Sequence, residues 1–295
     1  MDDYITWLRH QGVRLFEAGG QIWRTYKGAV VPASTVPSYI ELSPKEQRRL
    51  LRASGAWFLR YSSSPCDAPT EWWYVVCDRY DPAALSSKTR NKINRGLRAG
   101  RVTLIEPEWL AQHGYSCYLA AHGRYGGASP VSEDAWRRDV LASVGGPFEY
   151  WGVFIGQSLA GYCKCVLEAN NVATTVGKYD PAYFKDRPVN ALVGRLIEHY
   201  VGSQKRSMSN GHRAILHDTG MQEFLMDHGF RRQFCRLNIA YRRLLGIAVR
   251  VAYPLRGALV KGEGNPLGRR LGALVTQEGW RRSFQESASR PSAAD

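Results

Sequence analysis

The stretch WGVFIGQSLAGYCKCVLEANNVATTVGKY, residues 151–179, decides the fold. It holds three apolar runs of strand length, residues 151–155, 159–167 and 172–179, separated by Gly156-Gln157 and by Asn170-Asn171. Both pairs accept the positive φ of two-residue hairpin turns, so an antiparallel meander is expected. Cys163 and Cys165 lie two apart and therefore on one face of their strand, as small core residues. A helix is expected next. Val189, Leu192, Val193, Leu196, Ile197, Tyr200 and Val201 recur at three- and four-residue spacing, and Pro188 falls in a first turn, where proline is tolerated. A strand over residues 213–216, a short helix with Thr219 and Gln222 at capping-box spacing and Gly229 as its stop, and a last strand over 234–241 complete the unit.

This order, β-β-β-α-β-α-β, resembles the second half of the GNAT acyltransferase superfold. Members of that superfold that bind acetyl-CoA carry a glycine-rich loop at the start of the long helix, because backbone N–H groups must approach a pyrophosphate closely. The matching segment here is Lys185-Asp186-Arg187-Pro188-Val189-Asn190-Ala191, without glycine, and Pro188 removes one N–H outright. An acyl donor other than CoA is expected.

The chain as a whole bounds the reading further. Its 295 residues suffice for one large core or two modest ones, and its formal net charge of +14 implies an anionic partner such as nucleic acid, a nucleotide-linked substrate or an acidic membrane surface. The six cysteines form no Cys-x-x-Cys pair and have no clustered histidines beside them, so neither a metal site nor a disulfide framework is expected. The first residues, Met1-Asp2-Asp3-Tyr4, are acidic with no apolar run, which points to a cytoplasmic protein without a signal peptide. Residues 244–255 are amphipathic but too short to span a membrane, and are expected to be a packing helix, with interfacial attachment as the alternative.

Upstream, Ser43-Pro44-Lys45-Glu46 reads as a helix start, and short strands are expected over residues 13–16, 21–26 and 29–32. Two aromatic strands follow, over 56–61 and 71–77. In the second, Trp72 and Trp73 face opposite ways, so one of them, Trp73 among the candidates, is expected to line a groove. Helical patterns recur at 115–125 and 132–144, with a mobile loop expected over 123–129.

Residues 81–101 carry the strongest charge signal. Read as a helix capped by Asp81, they gather Leu85, Ile93 and Leu97 on one side and Lys88, Arg90, Lys92, Arg95 and Arg98 on the rest, with no acidic residue from Pro82 to Ile105. A solvated face ordinarily mixes signs to gain i, i+4 pairs. Five unopposed cations fit phosphates along a nucleic-acid backbone, the alternative being an ordinary basic helix. The segment LSSKTRNKINRGLRAG, residues 85–100, resembles the Ser-x-Lys-x-Arg-x-x-Ile helix of the Fem-type (FemABX-like) transferases, and residues 222–230, QEFLMDHGF, are similar to that family's helix ending in a Phe-Gly-Phe pattern.

The resemblance implies a mixed α/β fold with mainly antiparallel sheets, two GNAT-like lobes sharing a cleft, and transfer of an amino acid from aminoacyl-tRNA to an amine. It implies tRNA as partner and donor, no separate cofactor, and an acceptor that is a small molecule or peptide, free or carried on a protein. On this reading residues 1–140 form the first lobe, 141–256 the acyltransferase lobe, and 257–295 a basic, partly disordered tail. The resemblance also implies that the strand over 172–179, with Thr174, Thr175 and Gly177, is splayed by a bulge that offers a backbone N–H to the acyl carbonyl. Gly177 permits such a bulge, or serves as a plain exit glycine.

An aminoacyl ester is already activated, so the chemistry requires alignment of an unprotonated amine and stabilisation of an oxyanion, with no covalent nucleophile. His217 beside Asp218 is the expected acceptor of the amine proton, the alternative being a structural histidine. Asn210, His212, Arg213 and Lys178 are the remaining substrate-binding candidates, His212 and Arg213 for a phosphate or carboxylate. An acyl-CoA-dependent N-acyltransferase and a non-catalytic nucleic-acid-binding protein are the rival functions.

Overall fold

The structure is a computed structural model that describes residues 3–123, 129–215, 220–257 and 266–288. In chain order its elements begin with α1 (Asp3–His10), β1 (Leu15–Ala18), β2 (Gln21–Tyr26), β3 (Ala29–Pro32), α2 (Pro44–Ser54), β4 (Phe58–Cys66), β5 (Trp73–Cys77), α3 (Ser87–Ala99) and β6 (Arg101–Ile105). They continue with α4 (Pro107–His113), α5 (Tyr115–His122), α6 (Glu133–Leu141), β7 (Phe148–Ile155), β8 (Ser158–Glu168), β9 (Asn171–Tyr179) and α7 (Pro188–Leu196). The last are β10 (Ser207–His212), α8 (Met221–Asp227), β11 (Arg231–Tyr241), α9 (Arg243–Ala252) and α10 (Pro266–Ala288). The fold is mixed α/β with mainly antiparallel strand pairing.

The chain forms two compact units whose segments alternate along the sequence. One consists of Met1–Trp7, Val75–Gly211 and Met221–Arg231, the other of Leu8–Tyr74, His212–Gly220 and Arg232–Asp295.

In the first unit the strands follow the order β5-β10-β9-β8-β7-β6. The meander β7-β8-β9 is antiparallel throughout. Its first turn has Gly156 at φ 59°, as expected, but in the second the left-handed residue is Ala169, at φ 36°, rather than an asparagine. Helix α7 lies against β7 and β8 and, with them, buries Val153, Ala160, Cys165, Leu192, Leu196 and Tyr200 to 1% exposure or less. The apolar spacing beyond Leu196 does continue the helix, but Ile197–Ser203 is wound as a π-helix. That winding seats the Tyr200 hydroxyl between Trp151 Nε1, 2.8 Å away, and the Glu149 carboxylate, to which it donates. On the other sheet face Leu110, Tyr118, Trp136, Tyr150 and Tyr162 form a second cluster.

Two local expectations are corrected here. The basic helix starts at Ser87, not near Asp81, because the Ser86 hydroxyl accepts the Thr89 N–H at 3.1 Å and so caps it. Asp81 instead accepts the Ala84 N–H and closes a turn of its own. The strand expected over residues 213–216 lies earlier, at Ser207–His212, where pairing to β9 outweighs the more apolar composition of the later stretch.

In the second unit the order is β1-β2-β3-β4-β11. Trp23, Val30, Ile40, Leu50, Leu59 and Tyr61 form its core. Helix α2 starts where expected, with a full capping box: Glu46 N–H bonds Ser43 Oγ at 3.3 Å, and Ser43 N–H bonds Glu46 Oε2 at 2.8 Å. Residues 266–288, read from composition as part of the basic tail, form α10. The loop expected over 123–129 and the cap expected at Thr219 fall largely or wholly outside the described residues.

Candidate active site

A residue count decides the geometry of β9. On its β8 side Lys164 stands opposite Val176 but Cys165 stands opposite Thr174, so Thr175 is an extra, unpaired residue: a β-bulge. The expected bulge is therefore present, centred on Thr175 and two residues before Gly177, which pairs normally with Cys163. The exposed Thr175 hydroxyl donates to the Lys164 carbonyl at 3.3 Å.

On its other side β9 pairs in parallel with β10 over Asn171, Val172 and Ala173, and among the described residues the pairing stops there. The two strands then part. Asn210 stands at the point of separation, where its Nδ2 donates to the Thr174 carbonyl at 3.1 Å and to Thr174 Oγ1 at 2.9 Å, while that hydroxyl donates to the Ser209 carbonyl at 3.3 Å. Bulge and splay together leave the stretch of β9 from Thr175 to Tyr179 without a ladder partner on the β10 side. Backbone N–H groups released in this way are the donors an oxyanion requires. Lys178 sits in the same stretch with its ammonium 5.4 Å from the Tyr118 ring, and burial pushes its pKa below the ordinary lysine value.

The start of α7 differs from a pyrophosphate cradle in structure as well as in sequence. Arg187 takes a left-handed conformation, φ 58°, before Pro188, and no side chain caps the helix. Helix α3 packs directly onto this turn. A Cβ at Gly96 would lie 2.5 Å from the Arg187 carbonyl oxygen, and Pro188 and Asn190 are buried. The helix N-terminus, the ordinary anion site of such a fold, is thus partly covered by protein.

Of the five cations on α3, Lys88, Arg95 and Arg98 are exposed and Lys92 is half-buried. Arg90 turns back on its own chain, donating to the Ala83 carbonyl at 3.0 Å, to the Leu85 carbonyl, and to Ser87 Oγ at 3.3 Å. Beside α3 a groove of about 950 Å³ runs past Ile93, Gly194, Met226 and His228. His228 Nδ1 donates to the Phe224 carbonyl at 2.7 Å, so Nε2 accepts from Asn190 Nδ2 at 3.1 Å. Burial lowers the His228 pKa. Asn190 and His228 both lie in segments that the sequence singles out, residues 185–191 and 222–230, but nothing in either segment signals that the two pair.

Trp73, His212 and Arg213 belong to the second unit, and each has partners there. Trp73 is 7% exposed, with the Arg213 and Arg232 guanidinium carbons 5.6 and 4.6 Å from its ring. Arg213 donates to the Glu71 carboxylate at 2.7 Å and stands 4.5 Å over Trp280. His212 stacks on Trp72 at 4.7 Å and shares a 2.8 Å hydrogen bond with Ser62, whose hydroxyl also accepts from Trp72 Nε1. His217 and Asp218 lie outside the described residues.

Burial, aided by Arg60, pushes the His212 pKa down to about 3 from its ordinary 6.5. The unfolded chain therefore takes up a proton between pH 6.5 and 3 that the folded one refuses, and stability falls as pH falls through that window. The Tm of the wild type is expected to drop between pH 7 and pH 5, before most carboxylates titrate, and His212→Phe should flatten that part of the curve. An unchanged slope in the variant would show that folded His212 takes up its proton as readily as the unfolded residue does.

No family model matches the sequence, and no curated protein does. Solved structures do. The C-terminal domain of a protein assigned as a lysylphosphatidylglycerol synthetase from Agrobacterium fabrum aligns over 86% of this chain and 93% of its own, with a TM-score of 0.56 at 9% identity. FemX aligns over 88% of this chain and 93% of its own, also at 0.56, with 8% identity. The L-PGS structure from Bacillus licheniformis aligns over 88% and 97%, with a TM-score of 0.51 at 11% identity. The fold is accordingly Fem-type and GNAT-like, as the sequence motifs implied.

Proposed function

We propose that this protein is an acyltransferase that moves an aminoacyl group from aminoacyl-tRNA to the amine of a small-molecule or peptide acceptor, forming an amide. The observation that carries the reading is the opening of β9 away from β10 beyond Ala173, with the bulge at Thr175 and Asn210 at the apex. In the reaction the unprotonated amine attacks the ester carbonyl, a C–N bond forms, and the developing oxyanion accepts N–H donors from β9. The ester C–O bond then breaks, and the proton lost by the amine ends on the departing ribose hydroxyl. His217 is the group proposed to carry that proton, with Asp218 beside it. The donor is a substrate, so no separate cofactor is required.

Two features favour aminoacyl-tRNA over acyl-CoA. The first turn of α7 is partly covered by α3 and lacks glycine, and the exposed cations of α3 offer a track for backbone phosphates. The purified chain, given tRNA, synthetases and a mixture of labelled amino acids, is expected to label an amine acceptor in a ribonuclease-sensitive way. Labelling from acyl-CoA that survives ribonuclease would reject the donor assignment, and tRNA binding without any transfer would point to a binding protein.

The cation track has its own test. Replacing Lys88, Lys92 and Arg95 together is expected to reduce the slope of log affinity for tRNA against log salt by about 2 to 3, at about 0.7 to 0.9 for each phosphate no longer neutralised. Arg90 is left out because its guanidinium already serves main-chain carbonyls. Wild-type slope in the triple variant would place the donor elsewhere on the protein.

A further inference from the structure

The apolar side of α9 is uncovered. Leu244, Ile247, Val251 and Leu255 are 77%, 60%, 69% and 64% exposed. Their spacing, continued through the 3-10 turn Tyr253–Leu255, places them on one face, while Val249 on the opposite side is 1% exposed. A large apolar side chain exposed singly is ordinary, but four along one helical face form a patch. The helix expected to pack does so on one side, through Val249, while its other side faces out.

The charge around the patch is of one sign. Residues 242–257 contain Arg242, Arg243, Arg250 and Arg256 and no carboxylate. Arg243 and Arg250, seven residues apart, border the apolar stripe and line a groove of about 470 Å³ together with Arg242, Arg281, Arg282 and Glu278. Glu278 is already engaged: Arg281 donates to both its oxygens at 2.7 and 2.8 Å, and Arg282 to one at 2.8 Å. The groove is therefore cationic on balance.

These two properties select an occupant. A second copy of this chain, meeting the first face to face, would set the same arginines against each other. An apolar protein groove would accept the stripe and leave the arginines unmatched. A bilayer with anionic lipid satisfies both, taking apolar side chains at the acyl boundary and guanidinium groups at its phosphates. We propose that α9 docks this protein on the surface of a membrane containing anionic phospholipid, with Leu244, Ile247, Val251 and Leu255 at the acyl boundary and Arg243 and Arg250 among the head groups. Among the described residues no helix is long and apolar enough to cross a membrane, so the attachment is peripheral. The proposal stands independently of the transfer reaction.

Vesicle co-sedimentation of the full chain tests it, with phosphatidylcholine alone compared with equal parts phosphatidylcholine and phosphatidylglycerol. Binding to the anionic vesicles is expected. Leu244→Ser/Ile247→Ser/Val251→Ser, which alters exposed positions and no charge, should weaken it by about 30-fold or more. Arg243→Gln and Arg250→Gln should each weaken it about fivefold, on anionic vesicles alone. Equal binding by the triple-serine variant would overturn the proposal, because general positive charge would then suffice. So would displacement of the protein by millimolar glycerol 3-phosphate, which assigns the groove to a soluble phosphate, or a concentration-dependent dimer that the serine variant abolishes and vesicles leave intact.

Discussion

Gly96→Val is expected to destabilise the first unit by about 3 kcal/mol or more, at the upper end of what overpacking costs. The added carbon would stand 2.5 Å from the Arg187 carbonyl oxygen and 2.9 Å from Ala191 Cβ, and neither neighbour is the loose end of a flexible side chain. Intrinsic propensity argues the opposite way, since replacing a helical glycine by alanine ordinarily gains about 1 kcal/mol. Gly96→Ala therefore decides between the two effects by sign alone. Gly246→Ala in α9 supplies the comparison, as its nearest neighbour is Tyr241 Cβ at 3.4 Å. Urea midpoints of the three variants measure this, and a Gly96→Val protein as stable as wild type would mean that α3 does not rest on the start of α7.

The second large effect is expected in turnover. Asn210→Ala removes two of the three hydrogen bonds that tie the β10 side of the splay to Thr174, leaving the one from the Thr174 hydroxyl to the Ser209 carbonyl. The residue is a positioning one, and an error of about 1 Å in the geometry it sets is worth roughly 100-fold in rate. The loss should appear in kcat for aminoacyl transfer with KM for the donor little changed, because the cations of α3 are untouched. Asn210→Asp should be at least as damaging, since a carboxylate faces the Thr174 carbonyl with no N–H to offer. A fall in stability with normal turnover per folded molecule would make Asn210 a structural residue only.

The sequence made the meander and the long helix legible because both rest on short-range periodicity. Turn pairs between apolar runs, and a stripe at three- and four-residue spacing, need no knowledge of what packs against them. The bulge was foreseen in the right strand, through the family resemblance, yet its residue was not: Thr175 is unpaired because of the register between two strands, which no local pattern encodes. The strand at Ser207–His212 was missed for a similar reason. Its sequence, SMSNGH, is poor in strand formers and is held by pairing to β9. Among the cations of α3, spacing placed Arg90 on the charged side correctly, but only the capped turn before the helix shows that its guanidinium is occupied by carbonyls. The Asn190–His228 bond joins residues 38 apart and left no trace in composition.

The alternation of the two units along the chain sets a timetable for synthesis. Strand β4 ends at Cys66, and the strand it pairs with, β11, begins at Arg231, so roughly 165 residues separate an edge from its partner. At about 5 to 20 residues per second a ribosome needs on the order of ten to thirty seconds to supply them. For that interval the edge of β4, whose inward residues include Leu59 and Tyr61, emerges as an unpaired template. Nascent chains stalled before Arg231 should accordingly be captured by chaperones and cleaved by proteases within residues 58–66, and release of the stall should protect that segment as β11 arrives.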